Sequence, residues 1–205
     1  MTSALVSVCI PTLGREEKLE RLLSLIPQTV EYEPYEVIVE QDVFGPGRQG
    51  CPKTLVKAVE RAAGDYIVFL GNDCVPRVGW LKAAMRLMQR TFLDGVGCAG
   101  FNDMYWPGPR CLHWVAHRGL LSLLDGYFFC PEYNHVGVDD EMIARLRKAG
   151  KYKWCYEAIV EHDHFTTGAV MDAVYQEAWK TESVEHDRAL LKERAERFGF
   201  TDYLL

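Results

Sequence analysis

No run of about 18 apolar residues without a charge occurs in this 205-residue chain, so no segment is predicted to cross a bilayer as a helix. Close-spaced cysteine pairs are missing too. The seven cysteines, Cys9, Cys51, Cys74, Cys98, Cys111, Cys130 and Cys155, are scattered and odd in number, which argues against a disulfide framework and a structural zinc site. Reduced thiols and a cytoplasmic location are therefore expected. The opening MTSALVSVCIPT lacks a positively charged region before its apolar run, and Pro11 breaks that run, so it reads as neither signal peptide nor anchor. Basic residues are in deficit: 23 Lys plus Arg stand against 29 Asp plus Glu, a net charge of −6. The chain as a whole thus lacks the positive surface of a non-specific nucleic-acid binder, although a local basic patch is compatible with that total. Repeats and low-complexity stretches are absent, and 48% apolar with 25% charged residues excludes disorder and coiled coil. Residues 1–205 are long enough to bury a core of their own and read as one domain.

What is present is an alternation of apolar runs and helical periods. Leu5 to Ile10, Tyr35 to Val39 and Tyr66 to Leu70 read as buried strands. Helices are predicted over Arg15 to Ile26, ended by Pro27, over Leu55 to Ala63, stopped by Gly64, and over Gly79 to Arg90. This βαβαβα order predicts a parallel sheet with helices on both faces and ligands at the carboxyl ends of the strands. From Gly95 to Tyr133 the chain is rich in aromatics, Gly and Pro, as short strands and loops around a pocket would be. A helix over Asp139 to Ala149, an extended Tyr152 to Val160 and C-terminal helices follow, with Val170, Val174 and Ala178 placed on one face.

The candidates for chemistry lie after those strands. Asp73 directly follows the third strand in a small-residue turn, where a carboxylate can hold Mg²⁺ or Mn²⁺ against substrate phosphates; a helix-capping role for Asn72 and Asp73 reads equally well. Asp139 and Asp140 open a helix, a position that suits a general base and also simply favours the helix dipole. His162 and His164, at i and i+2 after an apolar strand, share a face and could ligate a metal. Lys53 and Arg48, in the Gly-rich loop before the second helix, could reach a phosphate or equally serve as mobile surface charges, and the run Arg145, Arg147, Lys148, Lys151, Lys153 could meet a diphosphate or a nucleic-acid backbone, with a solvated helix face the default. Tyr105, Trp106, Trp114, Tyr127, Phe128, Phe129 and Tyr133 could stack on a sugar or base, with core packing the default for each.

Three segments in order, IPTLGR at Ile10 to Arg15, GDYIVFLGNDCVPRVGWL at Gly64 to Leu81, and GVDDEMIARLRKAGKYKWCYEAIVEH at Gly137 to His162, resemble the landmarks of family 2 glycosyltransferases of the GT-A fold, including short phage-type members. The resemblance implies a Rossmann-like, mostly parallel α/β sheet. It also implies a nucleoside-diphosphate sugar donor, most often a UDP-sugar, a Mn²⁺ or Mg²⁺ ion, and usually inversion at the anomeric carbon. Under it, residues 1–93 bind the nucleotide sugar, 94–165 the acceptor with the catalytic group, and 166–205 form C-terminal helices. Pro11 and Thr12 fall on the nucleotide-contacting start, and Gln41 or Asp42 on the acid that contacts base or ribose. The family's DXD falls on Gly71-Asn72-Asp73, with only the last acid kept. Asp139 becomes the base, with Asp140 one register away, and His162 completes the metal site, with His164 as second choice. The acceptor is a saccharide or, in a DNA-modifying enzyme, a hydroxylated base; a non-catalytic nucleotide-sugar-binding domain is the reading from another class.

Overall fold

The computed structural model describes residues 4–105 and 111–204. Among these, seven strands form a sheet in the order β2-β1-β3-β6-β5-β7-β4: β1 Val6–Thr12, β2 Tyr35–Gln41, β3 Tyr66–Phe69, β4 Cys74–Pro76, β5 Cys98–Asn102, β6 Trp114–His117 and β7 Tyr152–His162. β1 pairs in parallel with β2 and β3, and β5 with β7, whereas β6 runs antiparallel to β3 and β5, and β4 antiparallel to β7. Five strands therefore point one way, and the expected mostly parallel sheet is borne out. Because Phe69 pairs with Trp114 and Cys74 with His162, the amino ends of β6 and β4 meet the carboxyl ends of the others at one edge.

The helices are α1 Glu16–Thr29, α2 Cys51–Arg61, α3 Trp80–Thr91, α4 Val138–Lys148, α5 Ala173–Ala178 and α6 Thr181–Phe198. Leu22 and Ile26 of α1 and Trp80, Leu81 and Met85 of α3 pack on Val8 and its neighbours on one sheet face. Leu55 and Ala58 of α2 and Met142, Ile143 and Leu146 of α4 pack on Ile67, Phe69 and Trp114 on the other. Each helix thus buries one stripe against the sheet, as amphipathic periodicity requires.

Several boundaries move for identifiable reasons. β1 continues through Pro11 to Thr12, because beyond Cys9 it pairs with β2 alone, where a missing N–H is tolerated. α1 runs past Pro27; the side chains of Gln28 and Thr29 bond back to the carbonyls of Ser24 and Leu25 and hold its last turn. α2 begins at Cys51, four residues before the expected Leu55, with Pro52 in its first turn. Val170 is 81% exposed and leaves the face it was expected to share with Val174 and Ala178.

Candidate active site

Chain ends of the sheet gather around one cleft of about 280 Å³. Thr12 ends β1, Asp42 follows β2, Gly71 to Asp73 follow β3, His113 precedes β6 and His162 ends β7, and all of these residues line it. α4 contributes Asp139 and Asp140 from its first turn, and α5 closes one side with Tyr175 and Ala178.

Asp73, 3% exposed, is the hub. Its Oδ2 accepts from Arg15 Nη1 at 2.7 Å and from the Tyr175 hydroxyl at 2.5 Å, while Oδ1 lies 3.2 Å from His162 Nε2. Burial acts to raise the carboxyl, but the hydrogen bond from His162, with Arg15 and Tyr175, outweighs it and holds the group well below the usual carboxylate range. Arg15 also makes a two-pronged pair with Asp172, at 2.7 and 2.9 Å, and its guanidinium stacks 3.9 Å from the Tyr175 ring centroid. The backbone of Arg15 is left-handed, φ 62°, uncommon for a residue with a side chain, and its guanidinium is held by Asp73, Asp172 and Tyr175. Asn72 donates to Thr12 Oγ1 at 2.6 Å and so ties the end of β3 to the end of β1.

Asp42 organises the loop after β2. Its carboxylate accepts from the backbone N–H groups of Val43, Gln49 and Gly50 at 2.8 to 2.9 Å. Gly50 must be glycine: φ is 83°, and a Cβ there would stand 2.7 Å from the Asn134 carbonyl oxygen. This closure brings Arg48 to the cleft, where its buried Nε has no hydrogen-bond partner among the described residues. Cys51 also lines the cleft; burial, with Asp139 adding to it, pushes its thiol up to about 12, so it is no nucleophile at neutral pH.

α4 is fixed from behind. Glu141 accepts from Tyr133 at 2.8 Å, from Arg194 at 2.7 and 2.9 Å and from Arg145 at 3.1 Å. Fully buried Asp187 of α6 accepts from the backbone N–H groups of Asn134, His135 and Val136, which lead into α4. Asp139 and Asp140 are thereby presented on a rigid element.

The sequence candidates divide accordingly. Pro11, Thr12, Asp42, Asn72, Asp73, Asp139, Asp140, His162 and His164 all line the cleft. His164 Nδ1 faces Thr166 Oγ1 at 2.7 Å, and the ring packs on Tyr175. Gln41 and Lys53 lie outside the cleft lining. The strand alternation turns Gln41 outward, its amide donating to the Asp42 carbonyl, and the early start of α2 puts Lys53 on the exposed face opposite Leu55. The basic run is spent on the protein itself at four of its five positions: Arg145 on Asp125 and Glu141, Arg147 on the Tyr203 carbonyl, Lys148 on the Phe198 carbonyl and Lys151 on Asp94. Of the aromatics, Tyr105 and Phe129 line the cleft, Trp114, Phe128 and Tyr133 are core, Tyr127 is exposed, and Trp106 lies outside the described residues.

Three cleft residues escaped the sequence reading of the site. Arg15 and Tyr175 reach Asp73 from 58 and 102 residues away, beyond any local pattern. His113 sits alone among aromatics; 4% exposed, it stacks on Phe69 at 5.5 Å and meets the His162 ring edge-on at 4.8 Å. Burial, with His162 adding to it, holds His113 well below 6.5 and so neutral.

Asp73 Oδ1 and His162 Nε2 make an oxygen–nitrogen pair of the type Mn²⁺ accepts. Among the described residues no three His, Cys, Asp or Glu converge as a ready-made metal cage. The site fits a cation that takes its other ligands from bound phosphates, the usual habit of Mg²⁺ and its relatives.

Residues 41–113, which contain the second of the three landmarks, match the model of the glycosyl transferase family 2, in line with the resemblance read from the sequence. No curated protein matches the chain. Among solved structures, glucosyl-3-phosphoglycerate synthase from Mycobacterium tuberculosis, in complex with Mn²⁺, UDP and glucosyl-3-phosphoglycerate, superposes with TM-score 0.65 at 15% identity, covering 96% of this chain and 80% of that one. The mannosyltransferase PcManGT from Pyrobaculum calidifontis, in complex with GDP-Man and Mn²⁺, gives 0.60 at 20% identity over 77% of this chain and 56% of that one. S. aureus TarS 1-349 gives 0.60 at 14% identity over 76% and 59%. The chain has the GT-A fold. It spans less than two thirds of the length of the latter two neighbours.

Proposed function

We propose that this chain is an inverting glycosyltransferase that moves a sugar from a nucleoside-diphosphate sugar to an acceptor hydroxyl with the help of Mn²⁺ or Mg²⁺. The observation that carries the reading is the convergence of Asp73, His162 and Asp139 on one cleft with Thr12 and Asp42. Neighbours of the same fold are described with UDP-GlcNAc, with GDP-Man and Mn²⁺, and with UDP and Mn²⁺, which supports such a donor here, UDP-linked by preference.

Pro11, Thr12 and the loop organised by Asp42 hold the nucleoside, and Arg48 offers its unpartnered guanidinium nitrogen to the diphosphate. Asp73 and His162 would hold the divalent cation, with His164 beside them; bound there, it neutralises charge on the leaving diphosphate. Asp139, with Asp140 as its neighbour on the same turn, accepts the proton of the acceptor hydroxyl. The freed oxygen attacks the anomeric carbon as the bond to the β-phosphate oxygen breaks, and its electron pair leaves with the nucleoside diphosphate. α4 holds the base in place, and rigid placement is what general-base catalysis requires. Gln41 and Lys53 receive no role, since neither lines the cleft.

Residues 1–205 act in this reading as one catalytic unit. All seven thiols are free, which supports a reducing, cytoplasmic setting, and no helix among the described residues is long and apolar enough to cross a membrane. The test is a mass-spectrometric panel of nucleotide sugars with Mn²⁺, reading nucleotide release with and without saccharide and hydroxylated-DNA acceptors. Asp139→Asn is expected to slow transfer at least about a hundredfold; equal rates in the two proteins would refute the assignment.

A further inference from the structure

Asp103 and Tyr105 line the cleft from the end of β5, and the reading above gives neither of them a part. The chain turns sharply there. Met104 is left-handed, φ 64°, its N–H donates to Asn102 Oδ1 at 3.0 Å, and the N–H of Tyr105 donates to Asp103 Oδ1 at 2.9 Å. Asn102 is tied in turn to β7, its amide donating to the Tyr156 carbonyl at 3.0 Å. The result is a fixed turn that leaves Met104 exposed, buries the Asp103 side chain and keeps the Tyr105 ring half-exposed in the cleft lining. A left-handed backbone at a residue with a side chain is costly and is kept where neighbouring groups must be held in place.

A second aromatic surface follows α5. Trp179, also half-exposed, lines the same cleft and is held edge-on by Phe165 at 5.7 Å, which packs on Tyr175 at 5.0 Å. Charge divides the lining. Among the described residues Arg15 and Arg48 are its only arginine or lysine side chains; Arg15 is spent on Asp73 and Asp172, and Arg48 stands in the loop after β2. Asp103, Asp139 and Asp140 lie close enough together that all three bear on the Cys111 thiol, which burial pushes up and their charge raises further. A phosphate beside them would meet like charge, whereas a hydroxyl donates to a carboxylate and the C–H face of a sugar ring packs on an aromatic one.

We propose that Asp103, Tyr105 and Trp179 form the acceptor subsite and that the acceptor is an uncharged saccharide. Its ring packs on the two aromatic side chains, Asp103 accepts from one of its hydroxyls, and a neighbouring hydroxyl is the one that gives its proton to Asp139. The inference rests on the glycosyl-transfer reading above and narrows its acceptor to one class. Duplex DNA with a hydroxylated base and phosphorylated sugars are thereby disfavoured, because each would bring phosphate to the acidic part of the lining.

The experiment offers the full chain glucose, galactose, N-acetylglucosamine, maltose, cellobiose and lactose, with glucose 6-phosphate and a duplex carrying hydroxymethylcytosine as charged competitors. Binding is read by saturation-transfer nuclear magnetic resonance with UDP and Mn²⁺, and transfer by mass spectrometry with UDP-glucose, UDP-GlcNAc and GDP-Man. Wild type is expected to bind and glycosylate at least one neutral sugar in preference to both charged acceptors. Asp103→Asn keeps an oxygen for the Tyr105 N–H, and so keeps the turn; it should raise the acceptor KM about tenfold, the difference between a charge-assisted and a neutral hydrogen bond. Tyr105→Ala and Trp179→Ala should raise it about tenfold through loss of a ring face, with kcat changed less, and Tyr105→Phe should restore most of that loss. Preference for the duplex or for glucose 6-phosphate overturns the inference and leaves glycosyl transfer standing. So does a neutral-sugar KM that none of Asp103→Asn, Tyr105→Ala and Trp179→Ala moves. Donor left unconsumed with every acceptor overturns the transfer reading, and binding then decides the subsite: a neutral sugar bound by wild type and weakened in Asp103→Asn supports it, and no sugar bound overturns it.

Discussion

Two carboxylates in this molecule are buried against an arginine and a tyrosine: Asp73 with Arg15 and Tyr175 at the cleft, and Glu141 with Arg194 and Tyr133 between α4 and α6. At Glu141 both oxygens are taken by guanidinium or phenol donors, Oε1 by Arg194 and Arg145 and Oε2 by Arg194 and Tyr133. At Asp73 one oxygen is held in that way while the other faces an imidazole on the cleft side. The same parts make a rivet at Glu141, where guanidinium and phenol donors take both oxygens, and at Asp73, where one oxygen meets an imidazole instead, the ligand position proposed above. Arg15 keeps its pair with Asp172 whatever becomes of Asp73, whereas Arg194 has no second buried acid.

That contrast can be broken at several points. Glu141→Ala leaves the Arg194 charge buried with only the exposed Asp125 and Glu132 nearby, and should cost about 3–5 kcal/mol of stability, read by denaturant unfolding. Asp73→Asn should keep the fold, because Arg15 remains paired, and cut transfer at least about a hundredfold in a turnover assay. A large stability loss with unchanged turnover would make Asp73 a second rivet. Tyr133→Phe should cost about 1.5–3 kcal/mol, the range for a hydrogen bond to a charged group, whereas Tyr175→Phe, on a short helix over the cleft, should show itself more in donor binding than in unfolding. An effect confined to acid pH concerns His135, which burial, with Arg48 adding to it, lowers from 6.5 to about 4. Between those values the unfolded chain takes up a proton that the folded chain refuses. Stability is therefore full above pH 6.5 and falls as pH drops, by up to about 1.4 kcal/mol per unit from this group. Thermal unfolding of His135→Gln across that window should be flatter than that of wild type.

The contrast also marks what the sequence makes legible. β1, β2 and β3 announce themselves as apolar runs, so the edge that carries Thr12, Asp42 and Asp73 could be located from the order of elements alone. Asp139 was accessible because it opens a helix and falls within the third landmark, Gly137 to His162. Glu141 read only as a third acid at a helix start; its burial depends on Arg194 and Tyr133, which local spacing cannot connect. His113 was hidden by the irregular stretch before β6, where no periodicity separates core from site. Lys53 was misplaced because α2 starts four residues early, which turns its side chain away from the cleft. The basic run after Arg145 looked available because its partners, Asp94, Asp125 and the carbonyls of Phe198 and Tyr203, lie far along the chain.

In the proposed reading, Asp73 joins a cation to the donor diphosphate through Oδ1, the oxygen that meets His162. Calorimetric titration of UDP and of GDP, with and without Mn²⁺, into wild type and Asp73→Asn of matched unfolding temperature tests it directly. Mn²⁺ is expected to tighten binding of the preferred nucleotide at least about tenfold in wild type and to have little effect in Asp73→Asn, in line with the loss of a metal ligand. Nucleotide binding that ignores Mn²⁺ in wild type, or that Mn²⁺ tightens equally in the variant, would contradict it.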